Sequence, residues 1–193
     1  REKTGLRIVG YFEAGARHLT SNRPIRHPDE LNGLIVRVPS VPSFVTAWQA
    51  LGAKPTPMAY SEVFISLQQG TIEAMENPLA TIKAGGFSEV QQYVNLTAHV
   101  ISWVYPVIGE KQFQRFPDDL KEVFLEAAWD MQQYEHQLFL EGSRSVKNEL
   151  EAAGMEFIEV DKTAFIEKAR DDIYRSLSPE MQTVYDEVIH QIR

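Results

Sequence analysis

Hydrophobic positions fall into short runs separated by breaks at glycine, proline and polar residues, and their period changes along the chain. Residues 5–12 (GLRIVGYF) predict a short strand with apolar Leu6, Ile8 and Val9, broken at Gly10. Residues 13–16 (EAGA) predict a turn, 17–20 (RHLT) an extended piece and 22–28 (NRPIRHP) a loop. After one helical turn at residues 29–31, closed by Gly33, the apolar run 34–38 (LIVRV) stops at Pro39 and predicts a buried strand. Ser40 is then expected to cap a helix over 41–51, with Pro42 in its first turn and Gly52 at its end. Residues 53–58 (AKPTPM) predict an edge segment, and Ser61 is expected to cap a helix through Gln69.

Residues 71–75 predict a strand ended by Glu76-Asn77-Pro78, followed by a short helix over 79–84 and a Gly85-Gly86 break. Residues 93–108 predict one or two strands with a long crossover, and 111–116 a short helix. From 117 to about 153 the period lengthens. Leu120, Val123, Phe124, Ala127, Met131, Tyr134 and Leu138 recur at three- and four-residue steps on one helix face, with Gly142-Ser143 as a place to bend. Residues 155–160 (MEFIEV) predict a strand, Asp161 caps a helix to about 177, and Ser178-Pro179-Glu180 starts a last helix. Strands alternating with helices indicate an α/β fold.

Composition narrows the function. The 193 residues carry a net charge of −8, which argues against nucleic-acid binding, since that needs a basic face. No cysteine is present, so thiol catalysis and thiolate metal sites are excluded. The five histidines are scattered without an i+4 pair for zinc, and no phosphate-binding loop, dinucleotide fingerprint or nucleophile elbow occurs. The expectation is a protein that is not an enzyme and uses neither metal nor cofactor.

Four positions carry candidate chemistry. Arg37 lies inside the apolar run, where its charge is costly unless an anion meets it. Its planar fork suits a carboxylate, and that carboxylate belongs either to this acidic chain or to a ligand. Arg17 follows a small-residue turn, and Asn77 offers an amide beside Pro78, as a ligand contact or a turn former. Tyr60 offers a ring face and a hydroxyl, for core packing or for a site.

These residues sit in motifs that resemble one family. Residues 5–11 (GLRIVGY), 17–25 (RHLTSNRPI), 29–39 (DELNGLIVRVP), 50–60 (ALGAKPTPMAY), 61–79 (SEVFISLQQGTIEAMENPL) and 113–120 (FQRFPDDL) follow its order with little insertion. The chain resembles the substrate-binding proteins of tripartite ATP-independent periplasmic (TRAP) transporters, the DctP-like family. The resemblance implies a periplasmic-binding-protein-like, class II type two-lobe fold, present here mainly as the second lobe, hinge and a long lobe-spanning helix. It implies residues 1–13 as a hinge strand from the first lobe and 14–101 as the second lobe. Residues 102–140 become a crossover strand and the first-lobe half of the long helix, and 141–193 the remaining elements. Most of the first lobe, which family members carry upstream, is expected to be absent.

By the same resemblance, Arg37 binds the ligand carboxylate, Arg17 assists, Asn77 reaches the ligand and Tyr60 lines the pocket. Ser40 and, more weakly, Trp103 are further contacts. The implied function is a periplasmic receptor that binds an organic acid (a sugar acid such as a uronate, a C4-dicarboxylate or a keto acid). It delivers that acid to TRAP membrane subunits for ion-coupled uptake. A carboxylate-sensing regulatory domain of the same fold is the alternative. Without a first lobe the apolar face of the long helix loses cover, so the expectation is either self-association through this face or an upstream segment that still covers it.

Overall fold

The structure, a computed structural model, describes residues 4–192; the ends of the outermost expected segments, residues 1–3 and 193, lie outside the described residues. Six strands form one mixed sheet in the order β4 (Lys54–Pro57), β3 (Ile35–Val38), β5 (Ala74–Pro78), β2 (Phe12–Ser21), β6 (Tyr93–Val104), β8 (Glu156–Ile158), and β1 (Leu6–Ile8) and β7 (Val107–Gly109) form a separate two-stranded ribbon. The central strand of parallel character is β3 (Ile35–Val38), flanked in parallel by β4 (Lys54–Pro57) and β5 (Ala74–Pro78). Pro55 and Pro57 cannot donate to a ladder, which confines β4 to the sheet edge. Two long strands, β2 (Phe12–Ser21) and β6 (Tyr93–Val104), pair antiparallel, and β8 (Glu156–Ile158) extends the sheet beside β6.

Helices cover both faces. On one, α1 (Pro42–Ala50) and α6 (Lys162–Ser176) press Trp48, Phe165 and Ala169 onto Leu19, Val36 and Val38. On the other, α2 (Val63–Gln68), α3 (Leu79–Ala84) and the end of α5 (Asp118–Ala152) enclose Met75, Val94, Phe87 and Leu150. A fully buried apolar side chain of this size contributes about 1.5–3 kcal/mol, so these two clusters hold the sheet and fix what its edge presents. At 35 residues α5 is roughly 50 Å long. A last helix, α7 (Pro179–Ile192), follows α6.

The ribbon forms a second packing centre. β1 (Leu6–Ile8) pairs with β7 (Val107–Gly109), and Arg7 grips Glu110 through two hydrogen bonds of 2.9 and 2.7 Å. Glu110 opens α4 (Glu110–Gln114), and Phe113 from that helix meets Phe116 and Phe124 with ring centroids 5.7–6.0 Å apart.

Several boundaries differ from the sequence expectation. Residues 13–16 are strand, not turn: Gly15 (φ 83) forms a bulge that lets β2 continue opposite Ser102 and Trp103. Glu76, Asn77 and Pro78 do not end β5 but form its buried second half, because β2 pairs with them directly. Ser40 does not cap α1; a tight turn from Val41 N–H to the Pro39 carbonyl (2.7 Å) puts Val41 at that position, without a side-chain bond. Ser61 likewise sits inside a 3-10 turn (Tyr60–Glu62) ahead of α2 and caps nothing. Asp161 does cap α6, accepting from Ala164 N–H at 3.0 Å.

Candidate functional site

The carboxyl ends of β3, β4 and β5 open on one edge of the sheet, the usual place for a ligand in α/β folds. Arg37 reaches that edge from β3. Burial leaves its side chain 5% exposed, yet among the described residues no carboxylate pairs with it. Instead its Nε and Nη2 both donate to the Met58 carbonyl, at 3.0 and 2.6 Å, just beyond the end of β4. Burial pulls its pKa below the ordinary arginine value; the Glu76 carboxylate offsets part of this, and the charge of Arg17 adds to the lowering. Arginine remains charged regardless.

The internal salt bridge belongs to Arg17. Its Nε and Nη2 meet Glu76 Oε2 and Oε1 at 2.5 and 2.8 Å, and Nη2 also donates to the Glu76 carbonyl and Asn77 Oδ1 at 2.9 and 3.0 Å. Nη1 reaches Ser102 Oγ at 3.5 Å, and the guanidinium carbon lies 5.3 Å from the Phe44 ring centre. This grip fixes Arg17 in one rotamer.

Glu76 is fully buried and has a second partner, His99 Nε2, at 3.0 Å, while His99 Nδ1 lies 2.8 Å from Thr97 Oγ1. A proton on Nε2 lets His99 donate to Glu76, while Thr97 Oγ1 meets its other ring nitrogen. Burial alone pushes the Glu76 carboxyl up, but the His99 and Arg17 hydrogen bonds outweigh it and hold the pKa below the usual glutamate value. A wide bulge makes this possible. Between Asn95 and Val100, β6 takes five steps while β2 takes two, from Leu19 to Arg17. The excess swings His99 across to Glu76, with Ala98 in the left-handed region (φ 45). His18 faces that bulge, accepts from Ala98 N–H at 3.2 Å, and has its pKa lowered to about 4 by burial, then by His99 and Lys162.

The remaining expected residues divide. Asn77 is buried with its carbonyl on Arg17, and its amide nitrogen makes only a 3.9 Å contact to Met75 Sδ. Tyr60 is half exposed, edge-on to Phe87 at 6.0 Å, with its hydroxyl 3.4 Å from the Thr81 carbonyl. Ser40 is exposed in the loop between β3 and α1. Trp103 stands apart from the arginine cluster: it is 44% exposed, opposite Glu13 and edge-on to Tyr11 at 5.6 Å, while its neighbour Ser102 faces Arg17. Sequence reasoning missed Glu76, His99, Ser102, Phe44 and the Met58 carbonyl. Only Glu76 left a signal there, a carboxylate next to Asn77 in a segment that had to bury.

Two guanidiniums and one carboxylate leave one uncompensated positive charge at this edge, which suits a monoanion. Among the described residues no group of three His, Cys, Asp or Glu side chains is placed to hold a metal, and no helix is long and apolar enough to cross a membrane.

The family described as bacterial extracellular solute-binding protein, family 7, matches residues 1–189. A solute-binding protein of Roseobacter denitrificans is 45% identical over 190 residues, 98% of this chain and 58% of that protein. A TRAP periplasmic solute-binding protein of the same organism, solved with bound L-galactonate, superposes with a TM-score of 0.91 at 45% identity, covering 97% of this chain and 63% of that one. One from a Sulfitobacter species, solved with bound β-D-galacturonate, gives 0.88 at 28% identity, covering 94% and 62%. The chain thus spans about three-fifths of the length of these relatives.

Proposed function

The chain belongs to the bacterial extracellular solute-binding proteins of family 7, and from that premise we propose that it carries the carboxylate-binding face of a periplasmic receptor for a sugar acid. The receptor hands its solute to the membrane subunits of a TRAP transporter and performs no chemistry on it.

One observation carries this reading: Arg37 is buried and charged, yet paired with no carboxylate among the described residues. The Met58 carbonyl takes Nε–H and one Nη2–H, leaving both Nη1–H groups and the second Nη2–H. Among the described residues no fully buried side-chain nitrogen lacks a partner, so Nη1 keeps some exposure to solvent. The free pair is therefore the end of the fork, and a carboxylate docks there end-on, through Nη1 and Nη2. Arg17, already neutralised by Glu76, contributes a fixed donor surface rather than net charge. The weakly engaged Asn77 amide supplies donors for the hydroxyls of a sugar acid. Ser40 and Tyr60 border the same edge, and Trp103 is an outer contact. L-Galactonate and β-D-galacturonate in related proteins support the substrate class.

The lobe arrangement follows the same reading. Residues 14–101 form the second lobe and 1–13 the hinge strand; 102–140 face the first lobe, and 141–193 return to the second. The separation of the β1–β7 ribbon from the main sheet supports this division.

Calorimetric titration of the protein in its full-length context with L-galactonate, D-galacturonate and succinate tests the function. A sugar acid is expected to bind one-to-one. Saturable binding of succinate alone replaces the substrate class, and silence from all three sinks the reading.

A further inference from the structure

A second cleft, of about 510 Å³, opens between α1, α6 and the β6 bulge; His99 of the Arg17–Glu76–His99 network lines it, and Arg37 does not. Its walls are apolar, with Phe44, Trp48, Val100, Phe165 and Ile173 among them. That volume and lining are those of a small-molecule pocket. No carboxylate lines it, but two cations do, Lys162 and Arg170, and neither has an acidic partner among the described residues. In a chain of net charge −8, two unpaired cations bordering an apolar cleft call for an anion with a greasy body.

We propose that this cleft is a second small-molecule site, for an amphipathic monocarboxylate whose apolar chain or ring lies between α1 and α6 with its carboxylate at Lys162. Lys162 is preferred over Arg170 for two reasons. It is the first residue of the 15-residue α6, where the helix dipole also favours negative charge. Arg170, by contrast, also borders a neighbouring groove that contains Asp171 and Asp186. The cleft shares two walls with the solute site: Phe44 lies under the Arg17 guanidinium, and His99, edge-on to Trp48 at 5.0 Å, holds Glu76. An occupant therefore touches groups that position Arg17 without touching Arg37.

Sodium octanoate and neutral 1-octanol serve as probes, titrated calorimetrically against the full chain and three variants. Octanoate is expected to bind saturably and at least fivefold more tightly than octanol. Lys162→Gln should weaken octanoate roughly fivefold, the scale of one exposed charge pair. Ile166→Glu, which places a carboxylate at an exposed position of the cleft wall, should weaken it at least tenfold. Both positions are exposed, so circular dichroism should show the fold intact. Arg37→Lys should leave octanoate affinity unchanged. Absence of saturable binding, equal binding of octanol, or indifference to both cleft variants overturns the proposal. Loss of octanoate binding in Arg37→Lys also overturns it, because octanoate then occupies the solute site.

Discussion

Arg37 gives two of its five N–H donors to a single backbone carbonyl, and under the proposed function that division sets which end of the fork a ligand would meet. Lysine at this position keeps the charge but has no planar fork, so Arg37→Lys removes one charge-assisted hydrogen bond, about 1.5–3 kcal/mol. Calorimetry should show a roughly tenfold to hundredfold loss of sugar-acid affinity; an unchanged affinity would remove Arg37 as the anchor. His18 yields a prediction about pH. Its folded pKa of about 4 lies below the unfolded value of 6.5, so the unfolded chain binds the extra proton first. Stability from its neutral burial is complete above pH 6.5 and is lost as pH falls toward 4, about 2 kcal/mol of it between pH 7 and pH 5. Glu76, with its pKa depressed, acts in the same direction but only below the usual glutamate range. Urea unfolding at pH 7 and pH 5 should show His18→Gln losing less stability than the parent, and an NMR titration placing His18 near 6.5 would contradict the account.

Among the elements, α5 and β2 each carry a glycine at the small cavity between them, and the two should respond oppositely to alanine. Gly142 lies mid-helix with nothing within 4 Å of an added Cβ. Gly142→Ala should stabilise the protein by about 0.5–1 kcal/mol, the difference in helix propensity. Gly15 has φ 83, and an added Cβ would meet Phe139 at 3.4 Å. Gly15→Ala should therefore destabilise by about 1–2 kcal/mol, the scale of forcing an L-residue into the left-handed region. Thermal unfolding of the two variants separates the cases, and a loss of stability in Gly142→Ala would show that the helix needs freedom at that point.

Over the whole molecule, part of the apolar exposure falls on the ribbon and the first half of α5. Ile8 (62% exposed), Val104, Tyr105 and Val107 from the ribbon and strand ends are exposed, as are Tyr134 (64%), Val123 (60%) and Leu120 on one face of the first half of α5. Phe124 escapes, because Phe113 and Phe116 cover it. Such side chains together expose roughly a few hundred Å², at the upper end of what a soluble monomer usually exposes. Burying them is worth several kcal/mol at about 25 cal/mol per Å². The 193-residue chain by itself should associate or bind an apolar dye such as ANS. A monodisperse 22.0 kDa monomer in light scattering without dye binding would contradict this.

What the sequence by itself determined was local: Pro39 and Pro42 around one helix start, Gly52 and Gly154 past two helix ends, Asp161 at its cap, and the three-and-four spacing that predicts α5. These signals act within a few residues, so one chain segment contains them whole. An arginine inside an apolar run was equally legible as a charge needing an anion, but not which anion. That choice fell to tertiary structure. β2 pairing with β5 set Arg17, not Arg37, against Glu76, and the β6 bulge brought His99 from 23 residues away to complete the network. The Glu13–Ala16 stretch read as a turn because its small residues favour one, and only the partner strand made it β. Sheet register and bulges depend on residues far apart in the chain, so no local pattern encodes which side chain meets which. The internal anion went to Arg17, and Arg37 was left with its fork open.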